Sequence, residues 1–384
     1  MKKLLILQIE DKALGGVWYV NKTLSEELLK HKYEVRIASI RERHDGPTLD
    51  INPKVIMTTI NPVDNWQIVH RHDIIDAIKT FNIKNILSTT KQYFVDNKKL
   101  NDDYEKLQEY VEDYNPDYII ASHYQVLPGI PESYLDKTIN IHHSAYDTLN
   151  IFKDNKKKLI ALKDKLKLVW LTKSSYNSAI KDGFKNSTYI YNPIKFSTSN
   201  KADVVKNKKL VTITRLGEEK RIELMVELVE ELFKDKKYKD WTFEIYGFGP
   251  CEQSIKDTIK NKKQVKFMGK TDDAMNVLLS SSINLNTSLF EGFNLSILES
   301  YECGLPTVTF NFGESAYEEI DNESTGFIVE QNNKEEYINK LKTLLDNEEL
   351  LTEMSNNSKE KAKNFKIENI VHDWIKLFEE IDKD

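Results

Sequence analysis

The pattern that most restricts the fold of this chain is an alternation that runs once, stops in a polar linker and starts again. An apolar run over residues 3–9 is followed by a Gly15-Gly16 loop, a helical pattern over 17–30 and a second β-rich run over 34–39. Strand, helix and parallel strand form a right-handed crossover unit. Repeating that unit builds an open sheet whose ligands bind at the carboxyl ends of its strands. Further strands are expected over 55–60, 85–88, 117–122, 168–172 and 189–194, and a short strand opening into a loop over 137–146. Helices are expected over 74–80 and 100–113. The Lys-rich segment 195–209 reads as a linker. The alternation resumes at Leu210 with a helix over 222–234, strands near 241, 264 and 283, and a last helix over 367–381. A chain of 384 residues is long enough for two such cores.

The second half also carries the chain's most informative stretch, residues 288–310. Glu291 and Glu299 stand eight positions apart. The segment Gly292 to Leu295 reads as a loop entering a helix, which stops at Gly304 with Pro306 beyond it. A helix start offers unpaired N–H groups and partial positive charge, a ready seat for phosphate. The two carboxylates would lie about 12 Å apart if the intervening steps were helical. Since a carboxylate only accepts hydrogen bonds, such a pair suits a ligand with hydroxyls at both ends and negative charge between. A nucleotide-sugar has that layout.

These residues resemble the E-x7-E signature of retaining GT-B glycosyltransferases of family 4: Glu291-Gly-Phe-Asn-Leu-Ser-Ile-Leu-Glu299, continuing to Gly304-Leu-Pro306. Asn294 stands where the family often has Gly. The resemblance implies an α/β protein of the GT-B class, two Rossmann-like domains with parallel sheets facing across a cleft. It assigns 1–195 to the acceptor, 196–365 to the nucleotide-sugar, and 366–384 to a helix crossing back onto the first domain. Glu291 would meet the donor sugar's hydroxyls and Glu299 the ribose diol, with Gly292, Phe293, Asn294 and Leu295 holding sugar and phosphate. Arg215 and Lys220, in Arg-Leu-Gly-Glu-Glu-Lys, match the family's Arg-Leu-x-x-x-Lys and would stabilise the leaving diphosphate, a task suited to a planar fork and a mobile point charge. Gly15 and Gly16 resemble the family's amino-terminal diphosphate loop, and Gly269 stands where the base often lies. His142 and His143 follow a strand as the family's functional His does, with His143 the better match. His123 is expected to be structural or to face the acceptor.

The implied activity is retaining transfer of a hexose or N-acetylhexosamine, UDP-linked by family frequency, to a glycan, cell-envelope polymer or lipid-linked acceptor, with no metal or other cofactor. Its rivals are a catalytically silent partner subunit that binds glycans, and a sugar-nucleotide epimerase or phosphorylase of the same fold. Composition agrees with an ordinary soluble protein, 40% hydrophobic and 30% charged. A net charge of −6 gives no general attraction to nucleic acid or anionic membrane. With Cys251 and Cys303 alone, neither a disulfide framework nor a cysteine metal site is expected. The apolar amino terminus breaks at Gln8, too early for a signal peptide, and the expected location is the cytoplasm. Lysine-rich 153–167 leaves peripheral contact with the inner membrane face open, although a solvated helix face explains it more simply. Oligomeric state is left open.

Other motifs fail. Gly269-Lys270-Thr271 lacks the upstream P-loop glycine, since Gln stands at 264, and Gly247-x-Gly249 lacks the third glycine of a dinucleotide fingerprint. Asp382-Lys-Asp384 is a terminal Asp-x-Asp, and His70-x-His72 has no third ligand in view.

Overall fold

The computed structural model describes residues 1–10, 15–42, 50–62, 83–151 and 153–383. The helix expected over 74–80, with His70 and His72, lies outside them. Two all-parallel sheets are present. The first has the order β3-β2-β1-β4-β5-β6-β7, with β1 Lys3–Glu10, β2 Glu34–Arg41, β3 Ile56–Asn61, β4 Tyr118–Ala121, β5 Thr138–His142, β6 Lys167–Trp170 and β7 Ser187–Tyr189. The second has the order β10-β9-β8-β11-β12-β13, with β8 Lys209–Ile213, β9 Thr242–Tyr246, β10 Val265–Gly269, β11 Ile283–Asn286, β12 Thr307–Phe310 and β13 Gly326–Val329.

Strand composition follows from position. Leu4, Leu5, Ile6 and Leu7 are consecutive and all fully buried, because a parallel strand is covered on both faces. The helix Ile222–Phe233 buries Ile222, Met225, Val226, Val229 and Leu232, one apolar stripe at helical spacing. In each sheet the winding reverses once, between β1 and β4 and between β8 and β11. The loops leaving those strands diverge there and open a crevice.

One expected strand is a helix. Residues 85–88 fall inside the helix Ile83–Tyr114. Ile83, Ile86 and Leu87 repeat at helical spacing, and Leu87 is 64% exposed, which no interior strand of a parallel sheet allows.

The two halves are joined by more than the linker. The helix Ile367–Ile381 lies on the first sheet's side, with Phe378 stacked on Tyr118 at 4.6 Å between ring centroids. The Ile194 amide bonds the Phe365 carbonyl at 2.9 Å. Buried Glu302 accepts from the Thr198 amide at 2.7 Å and the Lys359 ammonium at 3.2 Å, tying the linker to the helix Glu348–Ala362. Glu318 accepts from the amides of Lys173 at 2.8 Å and Ser174 at 2.6 Å and from the Tyr191 hydroxyl at 3.0 Å. A carboxylate of the second half thus caps the helix Lys173–Lys181 of the first.

Candidate active site

The site lies where the carboxyl ends of the two sheets face one another. Beyond β8, the loop from Thr214 to Lys220 carries Arg215 and Lys220. Its course is set by Gly247 and Gly249, which the sequence offered only as a failed nucleotide fingerprint. A Cβ on Gly247 would lie 1.9 Å from the Thr214 carbonyl oxygen, and one on Gly249 2.6 Å from that of Leu216. Only glycine lets β9's exit loop press this closely on the cationic loop. Gly269 ends β10 with φ +76°, and its carbonyl accepts the Gly247 amide at 2.9 Å.

Beyond β11, Thr287 fastens the facing loop. Its hydroxyl bonds the Lys220 carbonyl at 2.7 Å, and the Leu289 amide bonds the Glu219 carbonyl at 2.9 Å. Lys220 and Glu291 are thereby brought together as an ion pair. The same carboxylate oxygen of Glu291, Oε1, also accepts from Ser288 Oγ at 2.7 Å and Asn294 Nδ2 at 3.1 Å. Arg215 is half exposed and paired with Glu219. Nothing in the sequence marks Glu219 as that partner, because its neighbour Glu218 is the same residue type.

The helix Leu295–Glu302 starts at this point with Asn294 as its cap, the side chain accepting from the Ser296 amide at 3.1 Å. The Asn294 amide donates to Glu319 at 3.0 Å. Among the described residues, the amides of Gly292, Phe293 and Leu295 make no hydrogen bond, whereas that of Asn294 is taken by Glu319. Glu319 is 0% exposed, and burial pushes its carboxyl well above the usual range. It lies beneath the loop, and sequence reasoning missed it. Phe293 stacks on Tyr191 at 5.6 Å, anchoring the loop in the aromatic junction between the halves. Glu299 is half-buried and makes no hydrogen bond among the described residues. Burial pushes its carboxyl up to about 7, opposed by the nearby Lys195 ammonium. Lys195 itself sits 3.7 Å over the Tyr19 ring.

The first domain closes the site from across the cleft. A Cβ on Gly292 would lie 2.4 Å from the His143 carbonyl oxygen, and one on Gly16 3.0 Å from Leu295 Cδ1. The starts of the helices Gly16–Lys30 and Leu295–Glu302 therefore meet at one place, beside Lys220 and Glu291. His123, His142 and His143 cluster at the ends of β4 and β5. Burial, reinforced for the last two by neighbouring imidazoles, holds His123 and His142 down at about 4 and His143 at about 3. His142 packs against Trp170 at 5.2 Å. The Nε2 atoms of His142 and His143 are both buried without a partner among the described residues. Neutral imidazoles can accept or donate a hydrogen bond but carry no charge for a phosphate. Among the described residues no helix is long and apolar enough to cross a membrane.

This geometry has relatives. Residues 195–361 match the family model described as glycosyl transferases group 1. An uncharacterized glycosyltransferase of Haemophilus influenzae is 30% identical over 220 residues, 56% of this chain and 60% of that protein. A poly(ribitol-phosphate) alpha-N-acetylglucosaminyltransferase of Staphylococcus aureus is 27% identical over 245 residues, 62% of this chain and 49% of that enzyme. The matches thus span 60% and 49% of the length of these two relatives. Among solved structures, a point mutant of S. aureus TarM, crystallised with fondaparinux, alpha-GlcNAc-glycerol and UDP, superposes with a TM-score of 0.76 at 15% identity, covering 98% of this chain and 100% of that one. Residues 195–361 thus resemble the glycosyl transferases group 1 family, and the two facing parallel sheets form the GT-B fold.

Proposed function

We propose that the protein transfers a hexosyl or N-acetylhexosaminyl group from a UDP-sugar to a hydroxyl of a glycan, cell-envelope polymer or lipid-linked acceptor, with retention at the anomeric carbon. The observation that carries this reading is the convergence of two helix starts on the Lys220–Glu291 pair, with Arg215 on the same loop as Lys220. Partial positive charge from both helices and full charge from two side chains suit a diphosphate. Carboxylates on either side, Glu291 and Glu299, suit the hydroxyls of sugar and ribose. The S. aureus relative is named for N-acetylglucosaminyl transfer to poly(ribitol phosphate), and the TarM crystal contains UDP. The first favours a polymer acceptor of the poly(ribitol phosphate) kind and the second a uridine donor.

In the proposed reaction the bond from the anomeric carbon to phosphate oxygen breaks and its electron pair stays on the diphosphate. Arg215 and Lys220, with the free amides of Gly292, Phe293 and Leu295, stabilise that charge without a metal. The acceptor oxygen bonds the anomeric carbon on the same face, and its proton passes to the departing phosphate oxygen. Neutral His143 faces this step from the first domain as a hydrogen-bonding group. The test is turnover of UDP-N-acetylglucosamine and UDP-glucose by the isolated chain, followed as UDP release. Glu291→Ala and Lys220→Ala should each remove at least about 100-fold of that rate while the thermal transition persists. A Glu291→Ala protein within about threefold of the parent would reject the assignment.

A further inference from the structure

Glu291 does not meet a ligand with both of its oxygens. Lys220 Nζ, Ser288 Oγ and Asn294 Nδ2 all converge on Oε1. Oε2 accepts from no described residue, so it is the atom left to present to a ligand. Of the three donors, Asn294 is the one that also belongs to the helix start. Its side-chain orientation is fixed by chemistry: the Ser296 amide requires an acceptor, supplied by Oδ1 at 3.1 Å, and Glu291 requires a donor, supplied by Nδ2. Exchanging oxygen and nitrogen would spoil both contacts at once. Its main chain is held too, by the buried Glu319 oxygen 3.0 Å from its amide nitrogen. The residue is 8% exposed, which shields both bonds from competing water.

We infer that Asn294 is the positioning residue that aims Glu291: it locks Oε1 to the start of the helix Leu295–Glu302, so that Oε2 alone meets the donor sugar. This assignment rests on the proposed role of Glu291 and adds to it. The seat for the diphosphate and the reader of the sugar become one rigid piece, since a single amide side chain caps the helix and orients the carboxylate. A glycine here would supply neither contact. The other two donors cannot replace it. Lys220 is also needed by the diphosphate, and the buried Ser288 hydroxyl has a single proton for which Asn286 Oδ1, 2.8 Å away, competes with Glu291.

The consequence is a split between two binding events. UDP carries no donor sugar and touches Glu291 through no hydroxyl, so its affinity should not depend on Asn294 beyond the cap. A UDP-sugar should depend on it strongly. Two variants separate aiming from capping. Asn294→Ser keeps a hydroxyl able to cap the helix but is too short to reach Glu291. Asn294→Asp keeps the cap and the shape but sets a carboxylate against Glu291 where the amide donated.

Calorimetric titration of the full chain with UDP, and turnover of UDP-N-acetylglucosamine and UDP-glucose, give the readouts. For Asn294→Ser we expect kcat/KM to fall about tenfold, the loss of one hydrogen bond to a charged group, and for Asn294→Asp about 100-fold. Affinity for UDP should stay within about threefold of the parent in both. In a Glu291→Gln background the further effect of Asn294→Ser should shrink to less than about twofold, because the group being aimed has lost its charge. If UDP affinity falls in step with turnover, or if Asn294→Ser stays within about twofold of the parent while Glu291→Gln is inactive, the aiming role is overturned and the role of Glu291 stands. If Glu291→Gln is itself as active as the parent, the sugar-reading role falls and the aiming role with it.

Discussion

Gly292→Ala isolates the closeness of the two domains from every other property of the loop. The φ of Gly292 lies outside the left-handed range that favours glycine, so the backbone angle is not what excludes alanine. What excludes a methyl group is the opposite wall: 2.4 Å to the His143 carbonyl oxygen and 2.7 and 2.8 Å to the carbonyl and α carbons of Ser144. These are backbone atoms, which cannot rotate aside. An ordinary carbon–oxygen contact is about 3.4 Å, so the loop or the facing domain must retreat by about 1 Å. A misplacement of that size costs about 100-fold in rate where reacting groups must be aligned. The strain itself should cost about 1–3 kcal/mol. Parent and variant would be compared by UDP release from UDP-sugars, by UDP titration and by thermal melting. The expected result is a loss of about 100-fold in kcat/KM, a melting point lower by a few degrees, and UDP affinity reduced far less, since Arg215 and Lys220 both belong to the second domain. A variant within about threefold of the parent in turnover, melting at the same temperature, would refute the claim that the cleft is assembled by this contact.

Glu299 should make both donor binding and stability pH-dependent. Its carboxyl titrates at about 7 when folded, against 4.5 in the unfolded chain, so between these values the folded state holds a proton that the unfolded state has released. Stability contributed by this group is therefore complete below pH 4.5 and lost as pH rises through about 7. Glu299→Gln should gain up to about 3 kcal/mol over the parent at about pH 8 and nothing at about pH 4, measured by urea unfolding at both pH values. The parent's UDP affinity should rise as pH passes through about 7 and the variant's should not, and parallel profiles would count against a ribose contact. The imidazole proton signals of His123, His142 and His143 should stay at their neutral positions from about pH 5.5 to about pH 8, because burial holds them at about 4, 4 and 3; a titration near the ordinary histidine value of about 6.5 for any of them would contradict that burial. Glu318→Ala removes the carboxylate that caps a helix of the opposite domain and holds Tyr191, and should enlarge the radius of gyration in solution scattering while leaving UDP affinity within about threefold. An unchanged radius would show that the aromatic junction holds the domains alone.

The fold was legible because parallel sheets write themselves into sequence. Each buried strand needs a short apolar run, and each crossover needs an amphipathic helix, as at Leu4 to Leu7 and Ile222 to Phe233. Residues 85–88 read as a strand because two adjacent apolar residues, Ile86 and Leu87, fit strand and helix patterns almost equally, and only the length of the helix Ile83–Tyr114 decides between them. Within the candidate site, the resemblance carried by Glu291 to Glu299 and by Arg215 and Lys220 named residues that the structure brings together as the Lys220–Glu291 pair, with Arg215 on the same loop as Lys220.

The sequence by itself therefore determined two wound sheets, the ends of strands where a ligand would sit, and the charged groups available there. Tertiary structure alone decided how those groups are used. Glu219 was assigned to Arg215, Glu318 to the opposite domain and Glu319 to the Asn294 amide, and three donors were gathered on one oxygen of Glu291. Acidic side chains are alike in sequence and differ only in the partners that long-range packing brings within hydrogen-bond reach. The close approach of Gly292 to His143, 149 positions apart in the chain, exists only once both domains have folded and met.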